Sequence, residues 1–291
     1  MKSKIFILTL ILLMPFIQSG CWDYEEYEHL VQVSAIGHDF DKKSGETTMT
    51  MQYIPASKSE KGGTSGGPLK KMEITYSATD KTTYDALSTL QQVVSKKLFY
   101  GYLKVYVIGE EAAKYNLLDI IELIDRTSAI RTSSYIAFTS GKAEDAIATS
   151  DATMAGSSSE EIFNSIKISS STGAAYTVSL QDFARMLAVP GLEATAPRLV
   201  TVSNTAKPEA IGGTEANIRY GEERQGKHRV AGIAAFKKDK LVGWLNEKEA
   251  LGFGWLTGKN ILAYKVSEKS GKPNPEEQLF YRISQSQGKI K

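Results

Sequence analysis

The sequence has little of the chemistry that most active sites need. It contains one cysteine, Cys21, which excludes a disulfide within the chain and a metal site built from several thiolates. Its three histidines, His29, His38 and His228, are far apart and stand at none of the spacings typical of metal ligands. No Gly-x-Ser-x-Gly motif is present to position a serine nucleophile. The sequence therefore predicts no catalytic residue, no metal site and no enzymatic activity.

Phosphate-binding loops and basic clusters are also lacking. The glycine pairs within residues 62–67 are not followed by Gly-Lys-Ser/Thr, and after the stretch Gly252 to Lys259 comes Asn260, where Ser or Thr would hold Mg²⁺. The 35 basic and 33 acidic residues nearly balance, at a formal net charge of +2, and no dense run of Lys and Arg indicates nucleic acid. We predict no cofactor and no nucleic-acid partner.

Long apolar runs are missing after Ile17, so no later segment is predicted to cross a membrane. The apolar run from Ile5 to Ile17 follows Lys2 and Lys4, and it is about thirteen residues long, short of the ~20 that a spanning helix needs. A basic start followed by a short apolar core is typical of an export signal rather than of a folded element. Fold reasoning therefore begins after it.

Small residues lead from this run to Cys21, with Gly20 immediately before it. This ending resembles the signal of a bacterial lipoprotein, whose cysteine receives a diacylglyceryl group and becomes the new N-terminus. Such signals usually carry Leu three residues before the cysteine, where this chain has Gln18. We expect residues 1–20 to be removed and Cys21 to be the lipidation site, which anchors the protein to a membrane without spanning it. The alternative is an ordinary signal peptide followed by a free thiol.

The pattern of the first half predicts strands alternating with helices. Period-two or continuous apolar runs predict strands at Leu30–Gly37, Thr48–Tyr53, Glu73–Tyr76, Val105–Glu110 and Tyr135–Phe138. The run at Val105–Glu110 is almost continuously β-branched and aromatic, as expected of a strand that is covered on both faces. Helical spacing predicts helices at Thr82–Val94, Leu117–Ile124, Lys142–Thr149, Glu160–Ile168 and Leu180–Val189. The first of these helices is expected to bury Tyr84, Leu87, Leu90 and Val94, with Thr79 or Asp80 as its N-cap. The second is expected to bury Leu117, Leu118, Ile121, Leu123 and Ile124. Ser179 and Asp182 resemble a capping box at the start of the last. Residues 56–68 are expected to be a surface loop.

The second half begins after residues 207–226, a stretch with scattered charges and glycines that we interpret as a linker. A hairpin is predicted from Ala231–Phe236 and Leu241–Leu245 around a charged turn, followed by a short helix that Asn246 caps. Core packing is the preferred role for Trp244 and Trp255. The predicted class is α+β: a mixed β-sheet N-terminal domain with packed helices, residues 21–206, then a smaller and incomplete β-rich domain, residues 227–291.

Several stretches together resemble the Ger(x)C family, the lipoprotein C subunits of spore germinant receptors. The matching stretches, in chain order, are Cys21-Trp22-Asp23, Val33–Gly37, Lys97–Glu110, Leu118–Arg131, Leu180–Phe183, Ala196–Leu199, Val230–Leu245 and Gly252–Lys259. Of these stretches, Val230–Leu245, which contains the charged hairpin, is the most specific to the family. No single piece is diagnostic, but their order over most of the chain identifies the chain as a member of this family.

The resemblance implies a function that the residues alone do not. It implies a lipoprotein that is anchored through Cys21 on the outer face of the spore inner membrane and that assembles with the integral-membrane A and B subunits of a germinant receptor. The receptor would respond to nutrients such as amino acids, sugars or nucleosides. Two other functions remain as alternatives: a solute-binding lipoprotein of a transporter, which needs two lobes and a ligand cleft, and an anchored enzyme.

The end of the chain departs from this family's pattern. Members usually continue for roughly a further hundred residues into a C-terminal domain of ordinary size. Here Gln278–Ile283 has the pattern of a strand that begins such a domain, and the sequence stops at Lys291. We expect a truncated C-terminus, which would leave strands from Val230 onward without neighbours.

Overall fold

The computed structural model describes residues 29–54, 74–94, 96–127, 129–148, 157–202 and 227–258, with residues 4, 5, 26, 268, 269, 278 and 279 besides. Residues 1–30 and 31–291 are two separate compact units. The fold described below is that of the second unit, whose first strand takes one residue from the unit before it. The signal sequence, Cys21, the loop 56–68 and the linker 207–226 lie outside the described residues.

Nine strands form one mixed sheet in the order β3-β2-β1-β5-β6-β7-β8-β9, and β4 pairs with β1 beside this path. The strands are β1 Leu30–Asp41, β2 Glu46–Ile54, β3 Ile74–Asp80, β4 Lys97–Phe99, β5 Val105–Gly109, β6 Tyr135–Thr139, β7 Thr195–Val202, β8 Lys227–Lys237 and β9 Lys240–Leu245. Strands β1, β5, β6 and β7 run parallel in the middle, and antiparallel strands extend the sheet on both sides. The predicted α+β class with a mixed sheet is confirmed.

Seven α-helices accompany the sheet in the described ranges. They are α1 Thr83–Val93, α2 Glu110–Tyr115, α3 Leu117–Arg126, α4 Ala143–Ala148, α5 Ser158–Thr172, α6 Leu180–Ala188 and α7 Glu247–Thr257. A 3₁₀ turn at Tyr100–Tyr102 connects β4 to β5, and Glu268–Lys269 pairs with Gln278–Leu279 as a separate antiparallel pair, β10 and β11. Of the strand predicted at Gln278–Ile283, the structure describes Gln278 and Leu279.

Helices cover both faces of the parallel strands. On β1, His38 points towards Thr83 of α1, while its neighbour Gly37 lies against Ala143 and Ile147 of α4 on the opposite face. All five residues of β5 are buried, as predicted for a strand that is covered on both sides. Because adjacent residues of a strand point to opposite faces, the polar residues of β1 enter two different interiors.

Of the four side chains predicted to be buried along α1, Leu90 and Val94 are buried and Leu87 packs against the core, whereas Tyr84 does not. Its N-cap is Thr82, whose hydroxyl accepts a hydrogen bond from the Asp85 backbone N–H, because Thr79 and Asp80 are still paired with β2. Leu90 is buried, but Tyr84 is 71% exposed and Ala86 takes its place in the core. The predicted burial of Tyr84 and the predicted caps are therefore wrong, and β3 continues four residues further than its pattern indicates.

The burial predicted for α3 is also wrong at one residue, whereas the N-caps of α6 and α7 are as predicted. In α3, Leu117 and Ile120 are buried, but Leu118 is 55% exposed although its position suggested burial. Ser179 caps α6, and Asn246 forms a full capping box with Glu249 at the start of α7. Both caps are local in sequence, which is why they could be predicted.

Strands β7 and β8 flank the predicted linker and are neighbours in the same sheet, with Thr195 paired to Ala235. The hairpin β8–β9 adds to that sheet, and the predicted charged turn is present, with Lys238 in the left-handed region at φ 56. The strands predicted for a second domain thus extend the sheet of the first part. The division of the chain at residues 207–226 stays a prediction.

We predict that Leu90→Ala lowers the free energy of unfolding by about 2–5 kcal/mol, since it removes a buried side chain from the sheet–helix interface. Tyr84→Ala on the same helix is the matched control and is expected to change stability by no more than about 0.5 kcal/mol. Urea unfolding of the purified proteins measures both. A larger loss for Tyr84→Ala than for Leu90→Ala would contradict the observed helix orientation.

Candidate functional site

The sequence-predicted site residue, Cys21, lies outside the described residues, so its lipidation stays a prediction. Among the described residues, no helix is both long and apolar enough to cross a bilayer. The described residues also contain no group of three or more His, Cys, Asp or Glu side chains that could hold a metal ion. The structure instead shows buried polar groups that bind the helices to the sheet, and a cationic and aromatic cluster at one edge.

Asp39 near the end of β1 is a buried carboxylate, 8% exposed, that caps helix α4 from outside the helix. Its Oδ1 accepts a hydrogen bond from the Ala143 N–H at 2.7 Å, and its Oδ2 accepts one from the Glu144 N–H at 2.9 Å. These N–H groups have no partner within the helix. Burial raises the pKa of Asp39, and the two backbone hydrogen bonds act against that rise. The carboxylate therefore joins β1 to α4.

Gly109 at the end of β5 makes room for this carboxylate. A Cβ built on Gly109 would overlap Asp39 Oδ1 and would lie 3.2 Å from the carbonyl oxygen of Gly141. The same carbonyl accepts a hydrogen bond from the Glu110 N–H at 3.3 Å. Strand β5, strand β1 and the turn before α4 thus meet with no space for a side chain at position 109.

His38 forms a second buried polar contact, on the other face of β1. Its side chain is fully buried, with Nδ1 3.1 Å from the Tyr106 hydroxyl and Nε2 3.4 Å from the Thr83 hydroxyl. Burial lowers the pKa of His38 to about 3 and raises that of Tyr106, so both side chains are neutral at pH 7. A neutral imidazole has one donor and one acceptor, which suits two hydroxyl partners. This contact joins β5, β1 and α1.

Gln52 forms a third contact, between β2 and the helices of the Asp39 face. Its Nε2 donates to the Ser158 hydroxyl and to the Ile147 carbonyl at 3.5 Å, and its Oε1 accepts from the Ser159 N–H at 3.2 Å. The side chain is 4% exposed, so these partners replace water. The Gln52 side chain therefore connects the end of α4 to the start of α5.

None of these three residues was predicted from the sequence. A possible signal was present, since Asp39, His38 and Gln52 are polar residues inside apolar strands. Sequence alone could not tell a buried polar residue from one on an exposed strand face. The other two histidines differ from each other in burial: His228 is buried in β8, where burial lowers its pKa to about 4, and His29 has a side chain 74% exposed.

An exposed feature lies where strands β1, β5 and β6 begin. Lys104 directly precedes β5; its N–H donates to the Ser34 carbonyl at 3.0 Å, and its carbonyl accepts from the Tyr135 N–H at 3.0 Å. Parallel strands have their N-terminal ends at the same edge of a sheet. Lys104 and Tyr135 therefore mark the edge of the sheet at which β1 also begins, and we call it the starting edge.

Side chains at the starting edge form a group that we call the Lys104 cluster: Tyr102, Lys104, Tyr135, Phe163 and Lys167. Lys104 forms an ion pair with Glu160 and lies 4.8 Å from the ring centre of Tyr102. Lys167 lies 5.4 Å from the ring centre of Phe163, and the rings of Tyr135 and Phe163 stack at 5.2 Å. These distances allow cation–π contacts. The three rings are partly exposed and Lys167 is exposed, so the cluster presents aromatic faces and the Lys167 ammonium group to solvent, whereas Lys104 is mostly buried in its ion pair with Glu160.

The two tryptophans of the second half differ in their surroundings. Trp244 packs against the core, as predicted, and the Arg198 guanidinium lies 5.0 Å from its ring centre. Trp255 is half-buried, and its indole N–H has no hydrogen-bond acceptor among the described residues. The arginine contact of Trp244 was not predicted, because it joins β7 to β9 and no local pattern records it.

Comparison with known proteins agrees with the resemblance noted in the sequence. A family model described as the spore germination protein N-terminal domain matches residues 23–201, and one described as spore germination B3/GerAC like, C-terminal, matches residues 231–291. The first model alone covers more than half of the chain. The chain belongs to the GerAC family of spore germination proteins.

Two relatives from Bacillus subtilis (strain 168) support this assignment. Spore germination protein KC is 25% identical over 264 residues, which is 89% of this chain and 63% of that protein. Spore germination protein A3 is 32% identical over 152 residues, which is 50% of this chain and 37% of that protein. The chain thus spans less than two thirds of the length of either relative.

A solved structure, titled as the crystal structure of the GerBC protein, also matches. It is 15% identical, and the match covers 86% of this chain and 62% of that one with a TM-score of 0.31. A likeness this weak supports no conclusion about the details of the fold.

We predict that His38→Gln flattens the dependence of stability on pH. The pKa of His38 is 6.5 in the unfolded chain and about 3 in the folded one, so between these values the unfolded state binds the extra proton. The free energy of unfolding therefore falls as the pH decreases through this window, by up to about 1.4 kcal/mol per pH unit for this group. The variant lacks this contribution, while His228 still adds a slope of the same sign down to about pH 4.

Urea unfolding at a series of pH values between about 4 and 6.5 measures this slope. His29→Gln is the matched control, since the His29 side chain is 74% exposed, and it should leave the slope unchanged. An unchanged slope in His38→Gln would show that His38 is not buried as a neutral imidazole.

We predict that Gly109→Ala destabilises the protein by about 1–3 kcal/mol, because the new methyl group overlaps the Asp39 carboxylate. The carboxylate cannot move away without breaking its hydrogen bonds to the start of α4. Gly141→Ala is the control within the same turn, since a Cβ there meets nothing within 4 Å. Thermal unfolding of the two variants compares them directly, and equal melting temperatures would argue against the contact.

Proposed function

We propose that this chain is the lipid-anchored C subunit of a spore nutrient germinant receptor, required for germination in response to nutrients. The observation that carries the proposal is the order of the two family models along the chain, residues 23–201 and 231–291, both of which describe spore germination proteins. The names of the relatives KC and A3 support the same role.

The proposed anchor is a diacylglyceryl group on Cys21. The short apolar run and Gly20 before this cysteine support it, and so does the start of the N-terminal family match at residue 23, just after the proposed mature N-terminus. Acyl chains on a single residue hold a protein at a bilayer through about 0.8 kcal/mol per buried CH₂. The protein would then lie on the outer face of the spore inner membrane, beside its integral-membrane A and B subunits.

The proposed mode of action is protein contact rather than ligand chemistry. Three buried polar side chains of the sheet, those of Asp39, His38 and Gln52, use their hydrogen-bonding groups on the chain's own strands and helices. Groups committed in this way support a rigid scaffold. We propose that the anchored scaffold supports the A and B subunits, which would recognise the nutrient.

We predict that Cys21→Ala releases the protein from the membrane fraction and reduces nutrient-triggered germination. The physical reason is the loss of the acyl chains, since the apolar run Ile5–Ile17 is too short to span a bilayer in their place. Gln18→Leu is the matched control, since it brings the signal closer to the usual lipoprotein pattern and should leave the protein membrane-bound. Fractionation in a strain without the A and B subunits measures retention, and mass spectrometry of the N-terminal peptide measures acylation. A Cys21→Ala protein that stays in the membrane would contradict the proposed anchor.

We also predict that the purified protein does not bind nutrients by itself. Titration calorimetry with the amino acids, sugars and nucleosides that trigger germination should give no specific heat. A specific, saturable heat that persists in an unrelated buffer would instead assign nutrient recognition to this subunit and would overturn the proposed mode of action.

A further inference from the structure

We propose that the first region of this chain, up to residue 202, and the second region, residues 227–258, form one folding unit. In this unit β7, α5 and α6 of the first region are an acceptor surface, and β8, β9 and α7 of the second region cover it. Two separate family models divide the chain between residues 201 and 231, so β7 lies at the end of one match and most of β8 belongs to the other. The predicted linker 207–226 then connects two parts of one unit, a dependence that goes beyond the proposed receptor role.

The backbone of β7 is paired mainly across this division. Strand β8 pairs with it in antiparallel direction over the range Thr195–Val202, whereas β6 pairs with it through Arg198 and Leu199. The Gly232 N–H of β8 also donates to the Ala174 carbonyl, between α5 and α6, at 3.1 Å. Without β8, the first region would end in an edge strand whose N–H and C=O groups lack these partners.

The apolar core also crosses the division. Phe236 of β8 is 3% exposed, and its ring centre lies 4.7 Å from that of Phe138 in β6 and 5.2 Å from that of Phe183 in α6. Phe253 of α7 stacks on Tyr176 at 6.4 Å. Because Phe138 and Phe183 are themselves fully buried, loss of the second region would expose the centre of the first region's core to water.

Polar and cationic groups add to these contacts. The Arg198 guanidinium of β7 lies 5.0 Å from the ring centre of Trp244 in β9, and the Ser165 hydroxyl of α5 donates to the His228 carbonyl of β8 at 3.3 Å. Domains that move independently meet through smaller and more polar surfaces than a shared sheet and a shared core. A partner that binds one region should therefore stabilise the other as well, since both unfold together.

The test is thermal unfolding of the full chain, followed with two probes. Of the three tryptophans in the sequence, Trp244 and Trp255 lie in the second region. In a Trp22→Phe background, tryptophan fluorescence therefore reports β9 and α7, whereas far-ultraviolet circular dichroism reports all helices and strands. Leu90→Ala then weakens the first region alone, because Leu90 is buried in α1, which packs on β2 and β3. Tyr84→Ala on the same helix is its matched control.

We expect Leu90→Ala to lower the melting temperature seen by both probes equally, by about 5–15 °C, because a cooperative unit melts as a whole. Tyr84→Ala should move neither transition by more than about 2 °C. Phe236→Ala, at the contact itself, should also lower both transitions together. Val242→Ala is its matched control in the same hairpin, where the side chain is 61% exposed, and it should move neither.

A fluorescence transition that stays in place while Leu90→Ala shifts the dichroism transition would show that the second region folds by itself and would overturn the proposal. Gly109→Ala perturbs the first region less and gives the same comparison if the Leu90→Ala protein does not fold. Neither result bears on the proposed anchor or receptor role, which membrane retention and germination measure separately.

Discussion

The buried carboxylate of Asp39 is the contact on which the arrangement of the central sheet depends. It caps helix α4 through two backbone N–H groups and occupies the space that a side chain at Gly109 would take. An ionised group away from water is costly unless its hydrogen bonds are satisfied, so this one is stable only while β1, β5 and α4 keep their places. A single side chain therefore couples two neighbouring strands to the helix that covers them.

The other buried polar contacts extend the same principle to the remaining helices. His38 joins α1 to the opposite face of β1, and Gln52 joins β2 to α4 and α5. Apolar packing alone tolerates small shifts, whereas a buried donor or acceptor left without its partner costs about 1–3 kcal/mol. The sheet and its helices thus form a scaffold with little freedom to rearrange. Such rigidity suits the scaffold role proposed for this domain.

Prediction from sequence succeeded where structure depends on near neighbours along the chain. The caps at Ser179 and Asn246, the turn before β9 and the burial of all of β5 follow from short patterns that no distant contact overrides. Prediction was wrong where a distant partner decides. Strand β3 continues to Asp80 because β2 pairs with it that far, which moves the start of α1 to Thr82 and exposes Tyr84. Tyr84 thus stands in the first turn of α1 and outside the side that Leu90 buries, which sequence periodicity alone did not show.

The sequence by itself determined the order of most elements and the family, because both are written in short stretches of consecutive residues, and the export signal and the lipidation of Cys21 stay predictions from the same kind of pattern. The tertiary structure alone decided which polar residues of β1 and β2 are interior, since alternation along a strand says which residues share a face but not what covers that face. It also brought Lys104, Tyr135 and Phe163 together at one edge, although they are far apart in the chain. Parallel pairing of strands is a long-range contact, so the side chains that it brings to one edge become neighbours only when the sheet is assembled.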